Sequence, residues 1–188
     1  MVGENKSDSS RPIAFVLAST DHGTVIVNRF DYGPGGFGVG YQLFSHTYYD
    51  ASEIAVTKTF LNSKRRHFGD GVVALDLGAN IGLFSVEWAK HMTNWGRVIS
   101  VEAQERIFYA LAGNITINNC FNAQAIFAAV TEEVGQMQIP ALNYLTASSF
   151  GRLELRQRDM TENIGQPVDY RPERMTTVCT LSIDSPRH

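Results

Sequence analysis

Val72 to Glu102, VVALDLGANIGLFSVEWAKHMTNWGRVISVE, decides the fold. It reads as strand, glycine turn, helix and strand. Val72 to Leu75 is a short apolar run, the pattern of a strand buried on both faces of a parallel sheet, and Asp76 stands at its carboxyl end. Gly78-Ala79-Asn80-Ile81-Gly82 makes the turn, and an apolar-rich stretch runs on to about Met92. Gly96 breaks that stretch, and Arg97 to Val101 begins a second strand ending in Glu102. Two parallel strands need a crossover, usually helical, and this segment is long enough to supply one. Ligands of such sheets sit outside the carboxyl ends of the strands, where Asp76, the glycine turn and Glu102 all fall.

The chemistry of that rim suits an adenosine ligand. Gly78 and Gly82 have no β-carbon, so a ligand can approach their backbone closely. Glu102 is an acceptor-only carboxylate with two oxygens, matched to the two hydroxyls of a ribose. It lies about 20 residues beyond the turn, where dinucleotide folds place their ribose acid. The turn itself departs from G-x-G-x-x-G: it has one glycine where that fingerprint has a close pair, and Asp76 precedes it. A carboxylate there repels a pyrophosphate and suits a cationic ligand bearing an amino group. S-adenosylmethionine, with a sulfonium and an ammonium, is therefore preferred over NAD. A crossover that binds nothing is the plain alternative.

ALDLGANIGLFS followed by VISVEAQERIFYALAGNITINNCFNA resembles the FkbM family of S-adenosylmethionine-dependent methyltransferases. The resemblance runs from about Thr20 to the end of the chain and is densest between Val72 and Val130. It implies an α/β fold: a Rossmann-like class I methyltransferase sheet, preceded by an N-terminal β-hairpin and helix. It also implies that Asp76, Gly78, Ala79, Asn80 and Gly82 line the methionine end of the cofactor, that Glu102 holds the ribose, and that Ala103 and Gln104 lie beside the adenine. The family's acceptors are hydroxyl oxygens, so a sugar, glycolipid or polyketide-like hydroxyl is the implied partner. The family continues past a segment like TLSIDS into a fourth core strand and three more. Here His188 follows at once, so a sheet truncated after its third core strand is expected. A first strand lacking its neighbour leaves backbone donors and acceptors unpaired. The N-terminal hairpin, Met175 to Ile183, or a second copy of the chain is expected to cover that edge. A truncated, non-catalytic protein that binds cofactor weakly or serves as an assembly module is the alternative function.

The remainder of the chain divides into a disordered N-terminus over 1–11, a hairpin, glycine-rich loop and helix over 12–70, and a partial cofactor-binding domain over 71–188. Of its 188 residues, 44% are hydrophobic, which argues for a packed core. A net charge of −3 offers no electrostatic case for nucleic acid. Cys120 and Cys179 have no zinc spacing and read as reduced thiols. No apolar run spans a bilayer and no signal layout opens the chain, which points to a cytoplasmic protein. Asn5 and Asn114 begin glycosylation sequons that carry no meaning in that setting.

Ile13 to Ala18 and Thr24 to Asn28 flank the turn Asp21-His22-Gly23 as a hairpin. Asp31 to Gly40, DYGPGGFGVG, reads as a surface loop in preference to a mobile lid. Tyr48 to His67 reads as a helix with Asp50 or Ser52 as its cap and Ile54, Thr57, Phe60 and Leu61 on its packed stripe. Lys64 to His67 then complement the helix dipole before Gly69. Glu53, in the first turn, is open to two readings: a carboxylate near the cofactor, or plain helix chemistry. Gln104 to Asn118 reads as a helix packed through Ile107, Phe108, Leu111 and Ile115, with Gly113 at a close approach to the sheet. Ala123 to Val130 is the third parallel strand, and Ala128 and Ala129 either admit an adenine ring or pack the sheet. Gln136 to Ile139 is a short strand, Ser149 to Leu155 has a strand-like end, and Arg156 to Arg174 is loop. Met175 to Ile183 is β-prone with Cys179, Leu181 and Ile183 on one face. His22, His46, His67 and His91 have no partner spacing, so the sequence singles out no catalytic base and no metal set.

Overall fold

The computed structural model describes residues 11–157 and 162–184. All but the last residue of the expected disordered N-terminus, and the final four residues, lie outside the described part. A hairpin comes first: β1, Phe15–Thr20, and β2, Gly23–Asn28, pair antiparallel from Phe15↔Asn28 to Thr20↔Gly23. Helices α1, Val39–His46, and α2, Ala51–Phe68, follow. The central unit alternates strand and helix: β3, Val72–Leu77; α3, Leu83–His91; β4, Gly96–Glu102; α4, Glu105–Ile117; β5, Ala123–Phe127. Its three strands form a parallel sheet in the order β3-β4-β5. This is the strand-helix-strand repeat expected of a Rossmann-like sheet. A third sheet holds β6, Ala129–Val130, β7, Gly135–Pro140, and β8, Met175–Leu181, in the order β6-β8-β7.

Strand alternation explains what the sheet buries. Ala74 of β3 and Val98 of β4 point to the face covered by α3 and α4, where Val86, Ala89, Met92, Leu111 and Ile115 close the core. Burying a side chain such as Leu111 contributes about 1.5–3 kcal/mol. The opposite face is open: Val73, Leu75 and Leu77 are 41%, 46% and 42% exposed. The expectation of a strand buried on both faces is thus corrected. No described helix packs on this second side, and the apolar run reads the same with or without one. No described strand pairs with the β3 edge opposite β4. The hairpin packs instead on α4 and β8 pairs in its own sheet, so neither expected cover reaches that edge.

Other differences have similarly local causes. β5 stops at Phe127, where the chain turns so that Ala129 and Val130 pair with Thr180 and Leu181 of β8. Met175 to Leu181 forms the predicted strand, but Val178 and Thr180 are buried while Cys179 and Ile183 are exposed, because β8 presents its other face to Ala103, Ala129 and Ile139. Phe60 is 66% exposed and leaves the α2 stripe to Ile54, Thr57 and Leu61. Asp50 stands at the α2 N-terminus with φ 41° and makes no side-chain cap bond. Gly69 ends α2 as expected, its N–H donating to the Arg65 carbonyl. Ser149 to Leu155 contains a 3₁₀ turn at Phe150–Arg152 and no strand. Gly113 meets Ile26 of the hairpin and not the parallel sheet. Asn114 is wholly buried: it accepts the Ile26 N–H and donates to the Ile26 and Ile81 carbonyls. The sequon there is inaccessible in the folded chain.

Candidate functional site

The turn after β3 is shaped by backbone demands. Gly78 and Gly82 have φ of 75° and 85°, in the left-handed region that glycine enters without penalty. Asn80 enters it at φ 50°, its side-chain oxygen accepting the Ile81 N–H, the local bond that lets asparagine tolerate this region. The Gly78 and Ala79 N–H groups both donate to the Val101 carbonyl at 2.9 Å, fastening the turn to β4. The two glycines differ in purpose. A β-carbon at Gly78 would meet nothing within 4 Å, so this position opens on free space. A β-carbon at Gly82 would collide with Leu111 of α4, so glycine at 82 serves helix packing.

Two adjoining clefts flank the turn. The first, about 500 Å³, is lined by Asp76, Gly78, Ala79, Asn80 and Gly82, and also by Tyr49, Thr57, Phe84 and Trp88. The second, about 300 Å³, is lined by Glu102, Ala103 and Gln104, by Ala128 to Val130, and by Gly151, Leu153 and Leu155. Leu77, Gly78 and Asn80 border both. All eight residues singled out by the sequence therefore meet around one bed at the carboxyl ends of β3 and β4. A larger groove, about 680 Å³, follows Val130 to Met137 and holds none of the eight.

Glu102 is 5% exposed and holds the two clefts' boundary together. One carboxylate oxygen accepts the Asn80 N–H at 2.9 Å and the other the Gln104 N–H at 2.8 Å. The Ala103 N–H also bears on the carboxylate, which still leaves acceptor capacity for a ligand hydroxyl. Burial pushes its carboxyl above the usual range, and the backbone N–H groups oppose that shift. Asp76 accepts from the Ser85 hydroxyl at 2.5 Å, and Ser85 in turn accepts from Ser100 at 2.7 Å. That chain ties the end of β3 to the first turn of α3 and to β4. Burial raises the Asp76 carboxyl too, against the Ser85 bonds. Gln104 borders the second cleft, but its amide is engaged: it donates to the Phe150 carbonyl at 3.0 Å and accepts from the Tyr144 hydroxyl at 3.2 Å.

Sequence reasoning missed two walls. Tyr49, Phe84 and Trp88 meet edge-on, with ring centroids 6.3 and 5.6 Å apart, and give the first cleft an aromatic side. Phe84 and Trp88 share a face of α3 by their spacing, which was the available signal; Tyr49 comes from the link between α1 and α2 and carried none. Gly151, Leu153 and Leu155 wall the second cleft from a segment with no periodicity. Glu53 lines neither cleft, and none of the described histidines does. His22 is nevertheless buried, facing Glu87 at 3.1 Å and accepting the Tyr49 N–H on Nε2. Among the described residues there is no group of three or more metal-ligating side chains. No described helix is long and apolar enough to cross a membrane.

No protein-family profile matches the chain. No curated protein matches it either. Among solved structures it is similar to wild-type Trm5b from Pyrococcus abyssi, with a TM-score of 0.38 and 16% identity over 63% of this chain and 29% of that one. It is also similar to a SAM-dependent methyltransferase from Aquifex aeolicus, with a TM-score of 0.30 and 19% identity over 43% of this chain and 48% of that one. The chain thus spans less than half the length of either. At these TM-scores neither structure carries a residue assignment to this chain.

Proposed function

We propose that this chain is the cofactor-binding part of an S-adenosylmethionine-dependent methyltransferase of FkbM type that methylates a hydroxyl oxygen of a sugar, glycolipid or polyketide-like acceptor. The observation that carries the proposal is Glu102: a buried carboxylate at the end of β4, held by backbone N–H groups and with acceptor capacity to spare, beside a turn whose Gly78 opens on free space. The residues fit the cofactor. Glu102 would accept the ribose hydroxyls, Ala103 and Ala128 to Val130 would border the adenine, and Gly78, Ala79, Asn80 and Gly82 would face the methionine arm. Asp76 would hold its ammonium end. The combined clefts lie within the ~300–1,000 Å³ typical of ligand sites. When bound, the cofactor supplies an electrophilic methyl group on sulfur. The chain's own part is to fix that ligand's orientation for an oxygen approaching in line. A cytoplasmic location belongs to the same proposal.

A second reading has its own support. No described histidine lines either cleft, and the cleft carboxylates Asp76 and Glu102 are already engaged. A chain of this kind binds cofactor, weakly, and serves as an assembly module without a reaction. Thermal melts with S-adenosylmethionine, S-adenosylhomocysteine and NAD test the cofactor in both readings. A ligand at 100 times its Kd stabilises by about 2.7 kcal/mol. For a domain of this size that is a rise of roughly 5–10 °C. The rise is expected with both adenosyl ligands and not with NAD; a rise with NAD alone, or with none of the three, overturns the cofactor assignment.

A further inference from the structure

The outer wall of the second cleft is not part of the parallel sheet. Gly151, Leu153 and Leu155 lie on a strap that begins at the 3₁₀ turn Phe150–Arg152. The strap runs close to the cofactor turn, since a β-carbon at Gly151 would stand 2.6 Å from Asn80 Nδ2. Phe150 is wholly buried among Val25, Val27, Val39, Leu43 and Ile107 and anchors the strap's root. The backbone of Phe150 is gripped at both ends. Its carbonyl accepts the buried Gln104 amide, and its N–H donates to Asp31 Oδ1 at 3.2 Å. The other Asp31 oxygen accepts the Gly40 N–H at 3.3 Å, at the start of α1.

Asp31 is 2% exposed and has no ion-pair partner among the described residues. The glycine-rich stretch is built around it. A β-carbon at Gly38 would collide with the Asp31 carbonyl, and one at Gly40 would come within 2.9 Å of the Asp31 side chain. Gly33 lies against Ser149, and the Ser148 N–H donates to the Phe30 carbonyl at 2.9 Å. DYGPGGFGVG is therefore neither a lid nor a plain surface loop. Its glycines let two distant segments close on one carboxyl.

We propose that Asp31 is a positioning residue for the cofactor cleft: by holding the Phe150 and Gly40 N–H groups together it clamps the 150–155 strap against Asn80 and Gln104, and releasing that clamp lowers cofactor affinity. The affinity half of this statement rests on the cofactor reading above. A charged carboxylate accepts from both N–H groups. A neutral carboxyl carries a hydroxyl proton that confronts one of them, so one bond is lost. Burial pushes the Asp31 carboxyl up to about 6, against the bonds from Phe150, Gly40 and Val39. Lifting the strap removes the Phe150 bond, which lowers the carboxyl, while the core around Asp31 keeps it buried; the lifted state therefore binds the proton more tightly, and mildly acidic solution loosens the clamp. Of the charged and titratable groups nearby, Tyr49 before α2 has its phenol pushed up mainly by burial, with the Asp31 charge contributing. Tyr41 of α1 presents its ring to Gly36. Arg152 of the strap is turned away, its guanidinium 4.6 Å from the Phe37 ring centre and 3.4 Å from Glu162. Arg29 stacks on Phe30 at 5.1 Å.

The sign separates a clamp from a merely structural role. A carboxyl with a raised native pKa binds its proton more tightly folded than unfolded, so its contribution to global stability falls as pH rises from 3.8 through about 6. Acid therefore favours the fold at Asp31 while it frees the strap. Hydrogen–deuterium exchange on the 188-residue chain without ligand, at pH 7.5 and pH 5.0 and corrected for intrinsic rates, reads the strap directly. Exchange across 149–155 is expected to quicken at least about fivefold at pH 5.0 in the wild type, and to be fast at both pH values in Asp31→Asn. Calorimetry with S-adenosylhomocysteine is expected to show wild-type affinity falling at least about threefold between the same two pH values. Asp31→Asn should bind weakly at both. An acid limb that originates at Glu102 would survive in Asp31→Asn, which separates the two carboxylates. The wild-type exchange arm stands even if the variant fails to fold. Equal strap exchange at both pH values overturns the clamp whether or not the ligand binds. A strap that responds to pH in a chain that binds no S-adenosylhomocysteine overturns the cofactor reading instead.

Discussion

Glu102 does two jobs with four lone pairs. It orders the turn through the Asn80 N–H and the next helix through the Gln104 N–H, and under the proposed function what is left accepts from the ribose. Glu102→Ala removes the charge-assisted bonds to a ribose diol, each worth about 1.5–3 kcal/mol. Affinity for S-adenosylhomocysteine is expected to fall at least about tenfold, measured by calorimetry on a variant whose circular dichroism is unchanged; unaltered affinity refutes the assignment. Gly82 makes the opposite kind of demand. Its φ of 85° and its contact with Leu111 both exclude a branched side chain. Gly82→Val is expected to cost at least about 2 kcal/mol of stability, from left-handed strain and overpacking together. Urea denaturation of the variant without ligand checks this, since a wild-type midpoint would show that neither constraint is real.

Elements are joined here by buried polar groups at the seams. Asn114 of α4 bonds the edge of β2 as a neighbouring strand would, which explains how a two-stranded hairpin is held to a helix. At the hairpin's turn, His22 faces Glu87 of α3, and Lys58 of α2 reaches the second Glu87 oxygen at 2.5 Å. The His22 bond, aided by Lys58, draws the Glu87 carboxyl down to about 2 despite its partial burial. A carboxyl lowered in this way contributes stability in full above its unfolded value of 4.5, and loses it as pH falls towards about 2. Glu87→Gln is therefore expected to be less stable than the wild type near pH 6, with the gap closing by pH 2. Parallel urea curves across that range measure it. A gap independent of pH would mean that Glu87 acts by packing alone.

At the scale of the whole molecule, α4 serves two sheets, packing on β2 of the hairpin and on β4 and β5 of the parallel sheet. Among the described residues the parallel sheet is covered on one side and open on the other, where Val73, Leu75 and Leu77 stand near half exposure beside a β3 edge that no described strand pairs. Such an edge is a template for another strand. The chain is expected to self-associate in solution, with a light-scattering mass that rises with concentration. A monomer that melts cooperatively at all concentrations tested would sink that expectation.

The parallel unit was legible in the residues because its cues are local. Apolar runs, Gly78 and Gly82, the α4 stripe of Ile107, Leu111 and Ile115, and strand-end Glu102 follow one another at short range, and all eight expected site residues border the two clefts. Helix α1 was hidden behind glycines that usually mark a loop. The fate of Ala129 and Val130, the buried face of β8, the strap at Phe150 and the Asp31 clamp were decided only by tertiary structure. Each depends on a partner 40 to 120 residues away, such as Phe150 N–H on Asp31 or Thr180 beside Ala129, and no spacing along the chain records such a meeting. Periodicity tells a strand or helix which of its faces is apolar. Which neighbour covers that face, or whether any does, is settled when the elements pack.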